Sequence, residues 1–242
     1  MGNDSRFLAV IPARGGSSGL PGKNLKRLRG ISLVARAVRI AMRIEEIRWI
    51  FVSTDDEAIA REAEKAGASV PFLRPPELSG GEVPMVKVLR HALGWFRENV
   101  KEPCDGLVLL QPTSPMRRSA HVRKAISLFK EARKDDPRTA AVHAVSPVPR
   151  AFKPGRMRRL ERDSNGLLRV GAAPYPFDDG TDLYYRNGAA IVLDPDKIDA
   201  LTLNEGRVVP YVLDRPLVSI DSMFDLLSIE HCAGELEPEP WE

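Results

Sequence analysis

The sequence predicts an α/β protein built on a mostly parallel sheet with helices on both faces. Three observations predict it. Short apolar runs bounded by turn residues recur along the chain, at Phe7–Ile11, Trp49–Val52, Gly106–Gln111 and Thr139–Val145. Longer stretches with apolar residues at helical spacing separate them. The first run ends in a glycine-rich turn, Ile11-Pro-Ala-Arg-Gly-Gly-Ser-Ser-Gly-Leu-Pro-Gly-Lys-Asn24, at the strand end where sheets of this kind place their ligands.

Taken in order, Phe7–Ile11 reads as a buried strand, and Ile31–Ile44 as a helix through Leu33, Val34, Ala37, Val38 and Met42. Trp49–Val52 is a second strand. Ser53-Thr-Asp-Asp-Glu57 opens a helix with capping residues, Ile59, Ala60, Ala63 and Ala66 facing inward, and Gly67 ends it. Ser69–Phe72 reads as a short strand, Val83–Val100 as a helix and Gly106–Gln111 as the central strand, ended by Pro112-Thr-Ser-Pro115. Ser119 is expected to cap a helix to about Lys134, before the strand Thr139–Val145. Regular alternation then lapses: residues 146–182 are rich in Pro, Arg and Gly, as in a functional loop or an arm packed on another subunit. It resumes with the strand Ala189–Leu193, a short helix Asp194–Leu203, strands Val208–Leu213 and Leu217–Ile220, and a last helix from Ser222 to about Glu235. The acidic tail Leu236–Glu242 is expected to fray.

Length and composition fit one large domain, or one domain with an arm. The 36 Lys and Arg against 33 Asp and Glu leave a net charge of +3, spread along the chain, which argues against nucleic acid as a partner. No stretch approaches the roughly 18 apolar residues of a membrane span. Met1–Arg6 lacks the apolar run of a signal peptide, so a cytoplasmic protein without membrane contact is expected. Cys104 and Cys232 stand in no metal spacing and fit idle thiols in a reducing compartment. His91, His121, His143 and His231 show no ligand spacing either.

The glycine loop carries the chemistry. Gly15, Gly16, Gly19 and Gly22 free the backbone to present N–H groups to an anion, while Arg14 and Lys23 add fixed positive charge. The spacing is not that of G-x-x-x-x-G-K-[ST], because Asn24 follows Lys23, nor is it G-x-G-x-x-G. Other strand ends contribute Ser53–Asp56 and Gln111–Ser114 to the same region. Duller roles stand beside these. Arg74 could pair with a surface carboxylate, Thr113 and Ser114 could form a turn, and Asp221 could cap the last helix. Asp55 and Asp56 suit helix capping better than metal ligation, and Asp178, Asp179 and Asp182 suit a solvated loop.

Several segments together carry a resemblance: Ile11–Ser17, Leu20–Asn24, Val52–Glu57, Gly67–Pro75, Glu77-Leu78, Leu110-Gln-Pro-Thr-Ser-Pro115, Arg186-Asn-Gly188 and Ile220-Asp221. The chain resembles the sugar-acid cytidylyltransferases, the CMP-N-acylneuraminate synthetases, from about residue 7 to residue 230. The resemblance implies a Rossmann-like nucleotidyltransferase fold in a single domain, with 146–182 as an inserted arm exchanged in a homodimer. It implies CTP and an acidic acceptor, a nonulosonic or related 2-keto-3-deoxy acid, as partners, pyrophosphate as product and Mg2+ as cofactor. It places Pro12, Ala13, Arg14, Gly15, Gly16, Ser17, Lys23, Asn24, Arg74, Gln111, Thr113 and Ser114 around the nucleotide. It places Tyr185, Asn187 and Gly188 near the acceptor, gives Arg14, Lys23 and Asp221 catalytic roles, and makes Asp221 the metal ligand.

The chain also departs from that family. Ser18 stands where many members carry lysine, and Ser219-Ile-Asp221 where they carry Asp-Ile-Asp. Pro84 and Met85 stand in place of two serines, and the acidic Phe177–Asp182 in place of basic and amide residues that grip the sugar acid. Basic residues from Arg150 to Arg169 could supply that grip instead, or simply be solvated. The nucleotide half is thus better kept than the acceptor half. A phosphonate or other anionic acceptor, or a nucleotide-binding relative without turnover, stays open.

Overall fold

The computed structural model describes residues 5–17, 19–153, 156–157, 160–162, 164, 167–170, 182–201 and 207–231. Its elements in chain order begin with β1 (Phe7–Pro12), the small hairpin β2 (Arg27–Leu28) and β3 (Ile31–Ser32), and α1 (Leu33–Met42). Then come β4 (Ile47–Ser53), α2 (Glu57–Lys65), α3 (Met85–Asn99), β5 (Gly106–Leu109), α4 (Ser119–Asp135) and β6 (Thr139–Pro147). A second hairpin, β7 (Leu160–Arg162) and β8 (Leu168–Val170), precedes β9 (Tyr184–Leu193), β10 (Arg207–Val212) and α5 (Met223–His231).

The main sheet runs β10-β6-β9-β5-β1-β4. β1 pairs in parallel with β4 and β5, and β6 in parallel with β10. β9 alone runs against its neighbours β5 and β6, so the expected mostly parallel sheet holds with one reversed strand. Every residue of β1 is buried, as an apolar run between two covered faces should be. Its alternate side chains serve different layers. Ala9 and Ile11 join Val34 and Val38 of α1, Ile59 of α2 and Phe129 of α4. Leu8 and Val10 join Leu89 and Phe96 of α3 on the other face, where the Trp49 and Phe96 rings meet edge to face.

Caps set the helix starts. Ser32 Oγ accepts the Ala35 N–H of α1, and Asp56 Oδ1 accepts the N–H groups of Ala58 and Ile59 in α2. The helix read from Ile31 therefore begins after β3. Ser119 is the first residue of α4 rather than its cap; the His121 ring takes the N–H of Arg118, and Ser119 Oγ accepts from Arg123.

Other expectations are corrected. Ser69–Phe72 forms only single bridges, because Pro71 removes a donor from the run. Asp194–Leu203 gives a short 3-10 turn at Ile198–Leu201; the Asp194 carboxylate, bonded to the Asp196 N–H, Arg133 and Lys197, holds the chain in a turn. Leu217–Ile220 is not a strand. Its bonds are side-chain and loop bonds instead of a ladder, with the Ile220 N–H on the Thr113 carbonyl and the Leu217 carbonyl on the Tyr185 hydroxyl. The irregular stretch starts later than expected, because β6 runs on to Pro147 and pairs with Tyr184 at the start of β9. Expectations for Ser18, the 177–181 part of the acidic stretch, Cys232, the helix end near Glu235 and the tail 236–242 lie outside the described residues. Among the described residues, no helix is long and apolar enough to cross a membrane.

Candidate functional site

Parallel pairing brings the carboxyl ends of β1, β4 and β5 to one edge of the sheet. There a cavity of about 140 Å³ opens between the glycine loop and the turn after β5. Pro12, Arg14, Ser17, Lys23 and Asn24 line it from the loop, Arg74 from the segment after α2, and Gln111 and Thr113 from the far wall. Segments spanning about a hundred residues of chain therefore meet as the motifs predict.

Local bonds shape the loop. Gly22 takes φ +64 and starts the 3-10 turn Lys23–Leu25, a conformation that suits glycine. The turn seats Asn24 in the interior, where Nδ2 donates to the Arg14 carbonyl at 2.8 Å. Ala13 is buried and donates its N–H to the Ser53 carbonyl, so it fixes the loop without facing the cavity. Gly19 packs on the chain near the C-terminus: a Cβ there would stand 2.5 Å from the Asp221 carbonyl oxygen. Asp55 Oδ1 accepts the Gly15 N–H at 2.9 Å, so a carboxylate holds one amide of the loop.

The positive groups are held differently. The Arg14 side chain has no hydrogen-bond or ion-pair partner among the described residues and passes beside Gly81. Lys23 Nζ sits 2.9 Å from Asp221 Oδ1, whose side chain is 76% exposed. Arg74 is 5% exposed and bonds the carbonyls of Ser53 and Leu78, which excludes a surface ion pair as its role. Burial lowers its pKa, while the nearby Asp55 charge opposes that shift.

The capping expectations divide. Asp56 caps α2 as expected, whereas Asp55 does not. Asp221 caps nothing, because Asp225 accepts the N–H groups of Asp221 and Ser222, and Ser222 Oγ accepts the N–H of Asp225. The Asp221 carboxylate is thereby left for Lys23. Thr113 accepts the Ile220 N–H and the Ser219 hydroxyl at its carbonyl. Ser114 is buried and faces a crevice against α1, not the cavity. A Cβ on Gly188, which takes φ +71, would collide with Ser114 Oγ.

The acceptor candidates lie beside the cavity rather than in its wall. The Asn187 side chain is consumed internally: Nδ2 donates to Ser146 Oγ and Oδ1 accepts the Ala189 N–H, both at 2.9 Å. Tyr185 donates its hydroxyl to the Leu217 carbonyl. Sequence reasoning missed Arg117 and Met85 as site residues, and read Asp55, which lies in the Ser53–Asp56 strand end, as a cap rather than as the holder of Gly15. Met85 lines the cavity, and Arg117 lies beneath it with bonds to Gln111 and Gly188. An arginine after Pro115-Met116 carries no mark that separates it from a surface residue.

Magnesium commonly binds one or two carboxylates, with substrate phosphates and water completing its shell. A single exposed Asp221 beside the cavity-lining Lys23, with Ser219 contributing no charge, fits that donor set and no larger one. Among the described residues, no group of three His, Cys, Asp or Glu is placed to hold a metal. A larger groove, about 680 Å³, lies at the opposite end of the sheet beside Phe7, Cys104 and Asp105. Its flanking charges include the mutually paired Arg133 and Asp194, and burial raises the pKa of Cys104, which keeps that thiol protonated and unreactive.

A family model described as cytidylyltransferase matches residues 8–211, from β1 into β10. The chain belongs to the cytidylyltransferase family. Among its curated relatives, the CMP-N,N'-diacetyllegionaminic acid synthase of Legionella pneumophila is 37% identical over 160 residues, covering 66% of this chain and 65% of that one. The N-acylneuraminate cytidylyltransferase of Escherichia coli is 33% identical over 67% of this chain and 36% of that one. The chain thus spans less than two thirds of the length of each. A solved CMP:2-keto-3-deoxy-manno-octonic acid synthetase in complex with CTP superposes with a TM-score of 0.68 at 17% identity, over 96% of this chain and 99% of that one, a likeness of fold. The family match embraces the glycine loop, the Gln111–Pro115 turn and Asn187-Gly188, which carried the resemblance in the sequence; Ile220-Asp221, which also carried it, lies beyond the matched residues.

Proposed function

We propose that this member of the cytidylyltransferase family activates an acidic sugar, of the nonulosonic or 2-keto-3-deoxy class, as its CMP conjugate. An acceptor hydroxyl oxygen attacks the α-phosphorus of CTP, the bond to the β-phosphate bridge breaks, and pyrophosphate leaves as the hydroxyl proton passes to solvent. The observation that carries this reading is the unpartnered Arg14 guanidinium sharing one small cavity with Lys23, Ser17 and Asn24. Phosphoryl transfer depends on positioning and charge neutralisation more than on covalent catalysis, and these groups supply both. Arg14 and Lys23 hold the phosphates, and Ser17 adds a hydroxyl donor. Gln111 and Thr113 face the base and ribose from the opposite wall, and Arg74 keeps the β4 end in place through its backbone bonds. Asp221 holds Mg2+, which when bound to the triphosphate neutralises charge and orients the leaving group.

A second copy of the chain completes the assembly in this reading. The β7–β8 hairpin leaves Leu160, Leu168 and Val170 exposed, with too little core to stand alone, and these side chains are suited to a partner's surface. One observation favours a different anionic acceptor, such as a phosphonate: the polar side chains of Asn187 and Tyr185 are already bonded within the chain. Pyrophosphate release from CTP and magnesium, measured over a panel of acidic sugars and phosphonates, tests both. Release with a sugar acid is the expected result. Release with a phosphonate alone moves the reading to the second acceptor class. CTP binding without release from any member would overturn the catalytic proposal.

A further inference from the structure

Among the described residues, Arg117 is the largest fully buried side chain, 2% exposed, and no carboxylate meets it. Its Nε donates to the Ala189 carbonyl at 2.6 Å, and its Nη2 to the carbonyls of Gln111 at 2.8 Å and Gly188 at 2.9 Å. A buried cation satisfied only by carbonyl dipoles is expensive, and an apolar side chain could fill the same space at lower cost. Burial draws its pKa down to about 9, so the group is still charged at neutral pH.

The bonds join two parts of the site that are distant in sequence. Gln111 lines the nucleotide cavity, and its carbonyl also accepts the Ser114 N–H that closes the turn. Gly188 and Ala189, 71 and 72 residues beyond Arg117, belong to β9 and to the segment assigned to the acceptor. The Ser114 side chain fills the space a Cβ on Gly188 would take, so Gly188 abuts the Gln111–Ser114 turn where Arg117 binds its carbonyl. The guanidinium's planar fork reaches three carbonyls at once, which a lysine ammonium on a single flexible stem does not match.

We infer that Arg117 is a positioning residue that couples the nucleotide cavity to the start of β9, so that CTP binding orders the acceptor segment. This rests on reading the cavity as the CTP site. Among the described residues, none from 184 to 190 lines that cavity, and the Arg117 guanidinium, with the Ser114–Gly188 contact, ties Gly188 and Ala189 straight to its Gln111 wall, alongside the β5–β9 pairing and the Tyr185–Leu217 and Ile220–Thr113 bonds.

Hydrogen exchange on the full chain with CTP and magnesium tests the inference. In the unsubstituted protein CTP should slow exchange across 12–24, and also across 184–190, by about 3-fold or more in the latter. In Arg117→Met the effect on 12–24 should persist while that on 184–190 disappears, and Arg117→Lys should restore part of it. A purely structural role would lower stability without separating the two segments. Protection confined to 12–24 in the unsubstituted protein overturns the inference and leaves the nucleotide reading standing, as does full transmission in Arg117→Met. No protection across 12–24 overturns both. The unsubstituted protein keeps the test decisive even if Arg117→Met does not fold.

Discussion

The half of the site proposed to hold the nucleotide and the half proposed to hold the acceptor are built in opposite ways. Around the cavity, Arg14 and Gln111 face inward with side chains unspent on the fold, and the backbone is held by other groups: Asn24 on Arg14, Ala13 on Ser53, Arg74 on the β4 end. Near the start of β9 the polar side chains are themselves the fastening, as with Asn187 on Ser146 and Ala189, and Tyr185 on Leu217. One half separates chemistry from architecture; the other merges them. Substitutions in the first should change turnover before stability, and in the second stability before turnover.

The sharpest break of that contrast is Arg14→Ala. Its side chain has no partner among the described residues, so the melting temperature should stay within error, while kcat/KM for CTP falls about 100-fold, roughly 2.7 kcal/mol. A matching fall in melting temperature would erase the distinction. Next is the pH dependence of the acceptor side. Burial first, and the nearby Arg186 charge second, pull the pKa of His143 on β6 down to about 4. The unfolded chain takes up a proton near pH 6.5 and the folded one does not. Stability is therefore full above 6.5 and declines as pH falls towards 4, by about 2 kcal/mol at pH 5. Denaturant titrations of the parent and of His143→Asn should show that slope only in the parent.

Asn187→Ala removes two internal bonds near the acceptor and should cost about 1.5 kcal/mol in the same assay. Its KM for CTP should change little; a large rise would place Asn187 with the nucleotide. The smallest effect is expected at Asp221→Asn, where the ion pair with Lys23 is too exposed to matter for folding. There the magnesium concentration for half-maximal rate should rise about 3-fold, under 1 kcal/mol. An unchanged requirement would remove Asp221 as a metal ligand.

The same contrast explains what could be read from the sequence. The glycine loop and the Gln111–Pro115 turn directly follow apolar strands, so local pattern and the strand-end rule together place Arg14, Lys23, Asn24, Gln111 and Thr113 on one cavity. The family's motifs added Arg74 but not its bonds to Ser53 and Leu78. Long-range partners left no local trace. Nothing near Asp225 announces that it would take the backbone of Asp221 and leave that carboxylate to Lys23. Nothing near Arg117 announces three carbonyls, two of them on β9. The strand read at Leu217–Ile220 fails similarly: its composition suits a sheet, but the Ile220 N–H and the Ser219 hydroxyl are spent on the Thr113 carbonyl.

The place of β9 has a consequence for how the molecule is made. β5 and β6 follow each other in the chain with only α4 between them, yet they are not neighbours; β9 lies between them. A ribosome that has released residues up to 147 has delivered β4-β1-β5 and, apart from them, a lone β6, with bare edges facing a gap. The arrival of residues 184–193 joins their edges into one sheet, beneath the α4 packing that already spans β1 and β6. The intervening stretch of translation is the interval in which a chaperone finds an open strand edge to shelter, and in which a slow codon would prolong exposure of the half-sheet.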